Sequence, residues 1–90
     1  MSTGVTLYTT RFCPYCIRAR SLLDDKGVVY NDIAVDNDPR LHREMMTRSG
    51  RTTVPQIWVG EQHIGGCDDL LLLERQGLLD EFLERVRLAH

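Results

Sequence analysis

Cys13-Pro14-Tyr15-Cys16 constrains this chain more than any other feature. The pair follows a short apolar run (Val5, Leu7, Tyr8) and opens an amphipathic stretch, so it sits between a predicted strand and a predicted helix. Pro14 falls at the first helical position, where its missing N–H costs nothing. Cys13 is thereby placed at the helix N-terminus, where unpaired backbone N–H groups and the dipole favour negative charge. Such a site lowers a thiol's pKa below its free value of about 8.5 and raises the fraction of thiolate, the attacking species. Cys16, one turn further in, is placed to close a small disulfide ring with Cys13 and is expected to titrate nearly normally. Strand, loop, dithiol and helix together read as a redox centre.

The bulk of the chain excludes several classes. Ninety residues make one domain, 1–90, with room for one core. A net charge of -2 gives no sign of nucleic acid or an anionic membrane as partner. The longest apolar run, Leu70 to Leu73, is too short for a membrane span. Met1-Ser2-Thr3-Gly4 carries neither basic segment nor apolar stretch, so no secretory leader is expected. Three cysteines are too few for a secreted disulfide scaffold, and a cytoplasmic location is the expectation.

Periodicity gives the order β-α-β-α-β-β-α with a further C-terminal helix. Strands are predicted over Val5–Tyr8, Val28–Ile33, Gln56–Val59 and up to Ile64, with Gly60-Glu61 as the turn of a hairpin. Helices are predicted over Pro14–Lys26, from Asp38-Pro39 to Gly50, over Leu70–Gln76 with an aspartate cap, and from Leu79 through Val86. The first two strands, joined by a helix, are parallel by a right-handed crossover, and the hairpin is antiparallel. The fold class is α/β: a four-stranded mixed sheet with helices on both faces.

Two further motifs accompany the dithiol. Thr53-Val54-Pro55 reads plainly as a loop entering a strand. It also suits a cis Val54–Pro55 bond that turns the Val54 backbone outward to pair with an extended peptide. Gly65-Gly66-Cys67-Asp68-Asp69 reads as a turn into a helix. Its N–H groups form an anion site for a carboxylate, and the Asp68 and Asp69 carboxylates can pair with an ammonium. A ligand with an α-amino acid end fits that chemistry. The competing reading is a zinc tetrahedron of Cys13, Cys16, His63 and Cys67. Against it stand the length of the intervening segment, the Pro14-Tyr15 spacer, and an apolar content sufficient to fold without metal. Cys67 reads as a small, partly buried residue whose N–H matters, and Trp58 as packing. Of the arginines, Arg11, Arg18, Arg20, Arg48 and Arg51 are expected partly near the dithiol and partly on solvated faces.

With these three motifs in this order and spacing, the chain resembles the dithiol glutaredoxins of the bacterial glutaredoxin 3 type, over essentially its whole length. The resemblance implies a thioredoxin-like fold and reduction of glutathione mixed disulfides and protein disulfides, with glutathione as electron source and no metal. It makes Cys13 the nucleophile and Cys16 the resolving thiol. It places Tyr15 beside the glutathione sulfur, and Val54 against the cysteinyl part, within the loop completed by Thr53 and Pro55. Cys67, Asp68 and Asp69 hold the γ-glutamyl end. Where relatives often carry lysine, this chain has Thr10, which leaves Arg11 to meet the glycyl carboxylate, and His42 is the polar residue of the second helix. Implied partners are glutathionylated proteins and protein disulfides, ribonucleotide reductase among them, met by a monomer. Two alternatives stay open beside zinc: a redoxin served by thioredoxin reductase, and an iron–sulfur carrier in which two subunits and two glutathiones hold a cluster. The Gly65-to-Asp69 run argues for glutathione, and Pro14, by the resemblance, disfavours the cluster.

Overall fold

Alternation along the strands lets one sheet carry two cores, because residues two apart share a face. The computed structural model describes residues 4–88, so residues 1–3, on which most of the leader expectation falls, lie outside it. In chain order the elements are β1 (Val5–Thr9), α1 (Pro14–Asp25), β2 (Tyr30–Ala34), α2 (Pro39–Ser49), β3 (Gln56–Val59), β4 (Gln62–Gly65), α3 (Cys67–Arg75) and α4 (Leu79–Leu88). The sheet runs β2-β1-β3-β4. β1 pairs parallel with β2 and antiparallel with β3, and β3 with β4 is the antiparallel hairpin. The central strands β1 and β3 are buried at every position, as expected of strands covered on both faces.

Val5 and Leu7 of β1 and Ile57 and Val59 of β3 pack against Ala19 and Leu23 of α1, Leu70 of α3, and Leu79 and Leu83 of α4. Tyr8 and Trp58 look the other way and close a smaller cluster with Val35 and with Met45 of α2. Three helices therefore cover one face and α2 the other, the layering expected of a thioredoxin-like fold. Trp58 is a packing residue, buried and edge-on to Tyr8.

The helix starts follow local chemistry. Asp38 caps α2 by accepting the Leu41 N–H at 3.2 Å, Pro39 follows it, and Gly50 ends the helix in the left-handed region (φ 72°). Two element starts differ from the sequence reading, while several ends differ by a single residue. β2 begins at Tyr30, because that residue pairs with Val5 where β1 starts, and Val29 is left 91% exposed. α3 begins at Cys67 and not at Leu70, with Gly66 as its cap residue. The aspartates expected to precede the helix lie inside its first turn, and Asp69 reaches back to accept the Gly66 N–H at 2.9 Å. A bulge shifts the hairpin register: Ile57 faces Gly65 while Trp58 faces His63, leaving Ile64 as the extra residue of β4.

Candidate functional site

Cys13 is the extended residue immediately before α1, and its carbonyl accepts the first helical bond, from the Ile17 N–H at 3.0 Å. Its half-buried thiol meets opposing influences. Partial burial pushes it up. The N–H and thiol of Cys16, the N–H of Tyr15 and the charge of Arg20 pull it down, and together they win, so the Cys13 thiol lies below the ordinary range. Cys16 is fully buried. Burial raises its thiol, and donation to Cys13 together with the Cys13 charge adds to this against the pull of the Thr10 backbone, so it is pushed up to about 11. The near-normal second thiol expected from sequence is thus corrected: a sulfur out of contact with water ionises late.

Arg20 is the positive charge behind the dithiol. It lies four residues after Cys16 and so on the same face of α1. Its Nε donates to Asp32 Oδ2 at 2.6 Å and its Nη2 to Thr9 Oγ1 at 2.8 Å, which ties α1 to the end of β1 and the middle of β2. Helical spacing from Cys16 was the one sequence signal that separated Arg20 from the other arginines.

Beside the start of α1 lies an open cleft of about 270 Å³. Tyr15 forms one wall, Thr53, Val54 and Pro55 another, and the start of α3 from Gly66 to Asp69 the third, with Arg51 at its side. The Val54–Pro55 bond is cis, as the motif suggested. Cys13 is not part of the lining, but it lies near enough to buried Cys67 for its charge to act there. Burial is the main cause that keeps the Cys67 thiol high, with Arg18 opposing.

The two aspartates have different situations. Asp69 accepts both the Gly66 N–H and Arg51 Nη1 at 2.9 Å, and these bonds hold its carboxyl below the usual range. Asp68 is exposed at the cleft, at the second position of α3. Arg51, one of the five arginines expected partly near the dithiol but not among the glutathione-contact candidates, enters the site through Asp69; its place two residues before Thr53 was the available signal. Arg11 and His42 are not in the lining. Arg11 pairs with Asp36 at 2.9 Å and lowers that carboxyl, while His42 sits in the first turn of α2. The residues of the competing zinc reading do not form a tetrahedron. His63 stacks on Trp58 with ring centroids 4.6 Å apart, and among the described residues no three His, Cys, Asp or Glu side chains gather as metal ligands.

Gly65 makes this arrangement possible. Its φ is 121°, and a Cβ there would stand 2.2 Å from Asp69 Oδ2 and 2.7 Å from its Cγ. Gly65→Ala is therefore expected to drive the Asp69 carboxylate off Gly66 and Arg51 and to strain the backbone. Together these cost about 2–4 kcal/mol in stability, measurable by urea unfolding. A loss within error would show that the turn relaxes without disturbing Asp69.

The sequence model of the Glutaredoxin family matches residues 5–64. A glutaredoxin of Pseudomonas aeruginosa is 58% identical over 79 residues, which is 88% of this chain and 94% of that protein. Glutaredoxin 3 of Escherichia coli K12 is 51% identical over 81 residues, 90% of this chain and 98% of that protein. The crystal structure of a buckwheat glutaredoxin–glutathione complex aligns with a TM-score of 0.86 at 29% identity, covering 92% of this chain and 78% of that one. A half-exposed, acidic thiol backed by a buried one, on this fold and with these relatives, leads to one conclusion: the chain belongs to the glutaredoxin family of thiol–disulfide oxidoreductases.

Proposed function

We propose that this glutaredoxin is a glutathione-dependent enzyme that reduces glutathione mixed disulfides and protein disulfides through Cys13 and Cys16. In this reading it works as one cytoplasmic domain, 1–90, and as a monomer. Among the described residues no helix is long and apolar enough to cross a membrane. The observation that carries the proposal is the cleft beside Cys13, which combines a helix start, an exposed carboxylate and the backbone of the loop that leads into β3. Those are the complements of an α-carboxylate, an α-ammonium and a peptide unit, three of the polar features of glutathione.

The chemistry follows from the two thiols. The Cys13 thiolate attacks the glutathione sulfur of a mixed disulfide, the S–S bond breaks, and the freed thiolate takes a proton. Cys13 is left carrying glutathione. A second glutathione thiolate attacks that adduct, forming glutathione disulfide and restoring Cys13. The net exchange consumes one free glutathione, which joins the glutathione taken from the substrate as glutathione disulfide, while the substrate sulfur leaves as a thiol. Protein disulfides leave the enzyme joined to its substrate, and Cys16 then attacks Cys13 to release it as a thiol, forming the Cys13–Cys16 disulfide, which two glutathiones reduce back to the dithiol as they become glutathione disulfide.

Turnover of a glutathionylated peptide, with glutathione and glutathione reductase as the coupled supply, tests the proposal directly. No turnover under those conditions would remove glutathione as the electron source. In the same assay Asp68→Ala should raise KM ten- to a hundredfold, because losing one partner of a charge-assisted contact costs roughly 1.5–3 kcal/mol. The pH dependence of Cys13 alkylation should not change. An unaltered KM would move the γ-glutamyl end away from α3.

A further inference from the structure

Gln56 opens β3 with its side chain completely buried. A buried amide is costly unless both ends are paired, and here both are. Its Nε2 donates to the Thr53 carbonyl at 3.0 Å and lies 3.4 Å from Thr53 Oγ1. Its Oε1 lies 2.8 Å from His63 Nε2. An amide oxygen has no proton to give, so the imidazole nitrogen supplies it. His63 is itself held by its stack on Trp58. Flipping the Gln56 amide would set its oxygen against the Thr53 carbonyl oxygen, so that carbonyl, which can only accept, fixes which way the amide faces. His63, as the tautomer that donates from Nε2, holds the amide oxygen in place.

The consequence falls on Val54. The Thr53 carbonyl and the Val54 N–H belong to one planar peptide unit, and in a trans unit they point in opposite directions. The cis bond is the next one along, Val54–Pro55. A Thr53 carbonyl anchored inward by Gln56 therefore turns the Val54 N–H outward, on the loop that walls the cleft. We infer that Gln56, with its amide oxygen held by His63, is a positioning residue that aims the Val54 N–H at the peptide backbone of a bound disulfide. This rests on the proposed glutathione reading and extends it to two residues outside the cleft lining.

Two variants test it. Gln56→Glu places an oxygen where the amide now donates, and His63→Phe keeps a ring on Trp58 while removing the donor. Each is compared with the unaltered enzyme on two substrates: a glutathionylated peptide, and bis(2-hydroxyethyl) disulfide presented to pre-reduced enzyme without glutathione. The second has no amide for Val54 to pair with. Loss of one backbone hydrogen bond predicts a KM for the glutathionylated peptide raised about three- to tenfold, with kcat unchanged. The rate with bis(2-hydroxyethyl) disulfide and the pH profile of Cys13 alkylation should stay as they are. His63→Gln, which restores a donor, should recover part of the loss. Equal slowing on both substrates, or no change on either, overturns the inference. Should Gln56→Glu fail to fold, His63→Phe at a half-buried position carries the same test. If the unaltered enzyme does not prefer the glutathionylated peptide, the glutathione reading itself fails, a result separate from any variant.

Discussion

Cys16→Ser should retain removal of glutathione from a mixed disulfide and lose protein-disulfide reduction by at least about a hundredfold, whereas Cys13→Ser should lose both. The contrast follows from what each attack leaves behind. With a glutathione mixed disulfide, the adduct on Cys13 is small, and a second glutathione can reach it. With a protein disulfide the enzyme is joined to its substrate, and release needs a thiol already in place. Cys16, one helical turn away and buried behind Cys13, has an effective concentration that dissolved thiols cannot match. The raised pKa of Cys16 does not oppose this. Donation to Cys13 and the Cys13 charge are among the causes of that rise, and both vanish once Cys13 is bonded to a substrate sulfur. Ionisation of Cys16 therefore becomes easier at the step that uses it. The two activities are separated by assaying each variant on a glutathionylated peptide and on a protein disulfide. Equal loss of both in Cys16→Ser would overturn the glutathione mechanism and favour a redoxin served by thioredoxin reductase.

Where the chain's chemistry is local, the sequence shows it. Pro14 after Cys13, Asp38 before Pro39 and the Val54-Pro55 pair each act on immediate neighbours, and the structure puts a helix start, a cap and a cis bond at those places. The layering was also legible, because alternation in β1 and β3 and helical spacing in α1 and α4 assign faces without knowledge of the partner. Features that join distant segments were not. Arg20 matters because Thr9 and Asp32 meet it from two strands. Arg51 matters because Asp69 is brought to it from the next helix. The bulge at Ile64 sets His63 opposite Trp58, and no spacing rule announced it. The zinc alternative arose from the same gap, since His63 and Cys67 are close in sequence but Trp58 and Gln56 claim the imidazole.

The second large effect concerns the thiols themselves: at pH 7 the reduced protein should be alkylated at Cys13 more than about a hundredfold faster than at Cys16. Alkylation follows the thiolate. A group pushed up to about 11 is ionised in roughly one molecule in ten thousand at pH 7. Even an ordinary thiol would exceed that by more than two orders of magnitude, and Cys13 lies below the ordinary range and is reachable from solvent. The sign with pH follows. As pH rises, the Cys13 rate should climb and level off at a lower pH than that of an ordinary thiol, whereas the Cys16 rate should still be rising at pH 10. Cys67 should react slowly throughout the neutral range, since it is buried and its thiol is raised as well. Iodoacetamide labelling across pH, with the modified residue identified by mass spectrometry, reads all three. Cys13→Ser adds a decisive comparison. Without the Cys13 sulfur as acceptor and charge, Cys16 should react faster than in the unaltered protein, yet slower than a free thiol because burial remains. Faster modification of Cys16 than of Cys13 at pH 6 would reverse the assignment. The nucleophile would then be the buried thiol, and the cleft beside Cys13 would lose its reason to receive a disulfide.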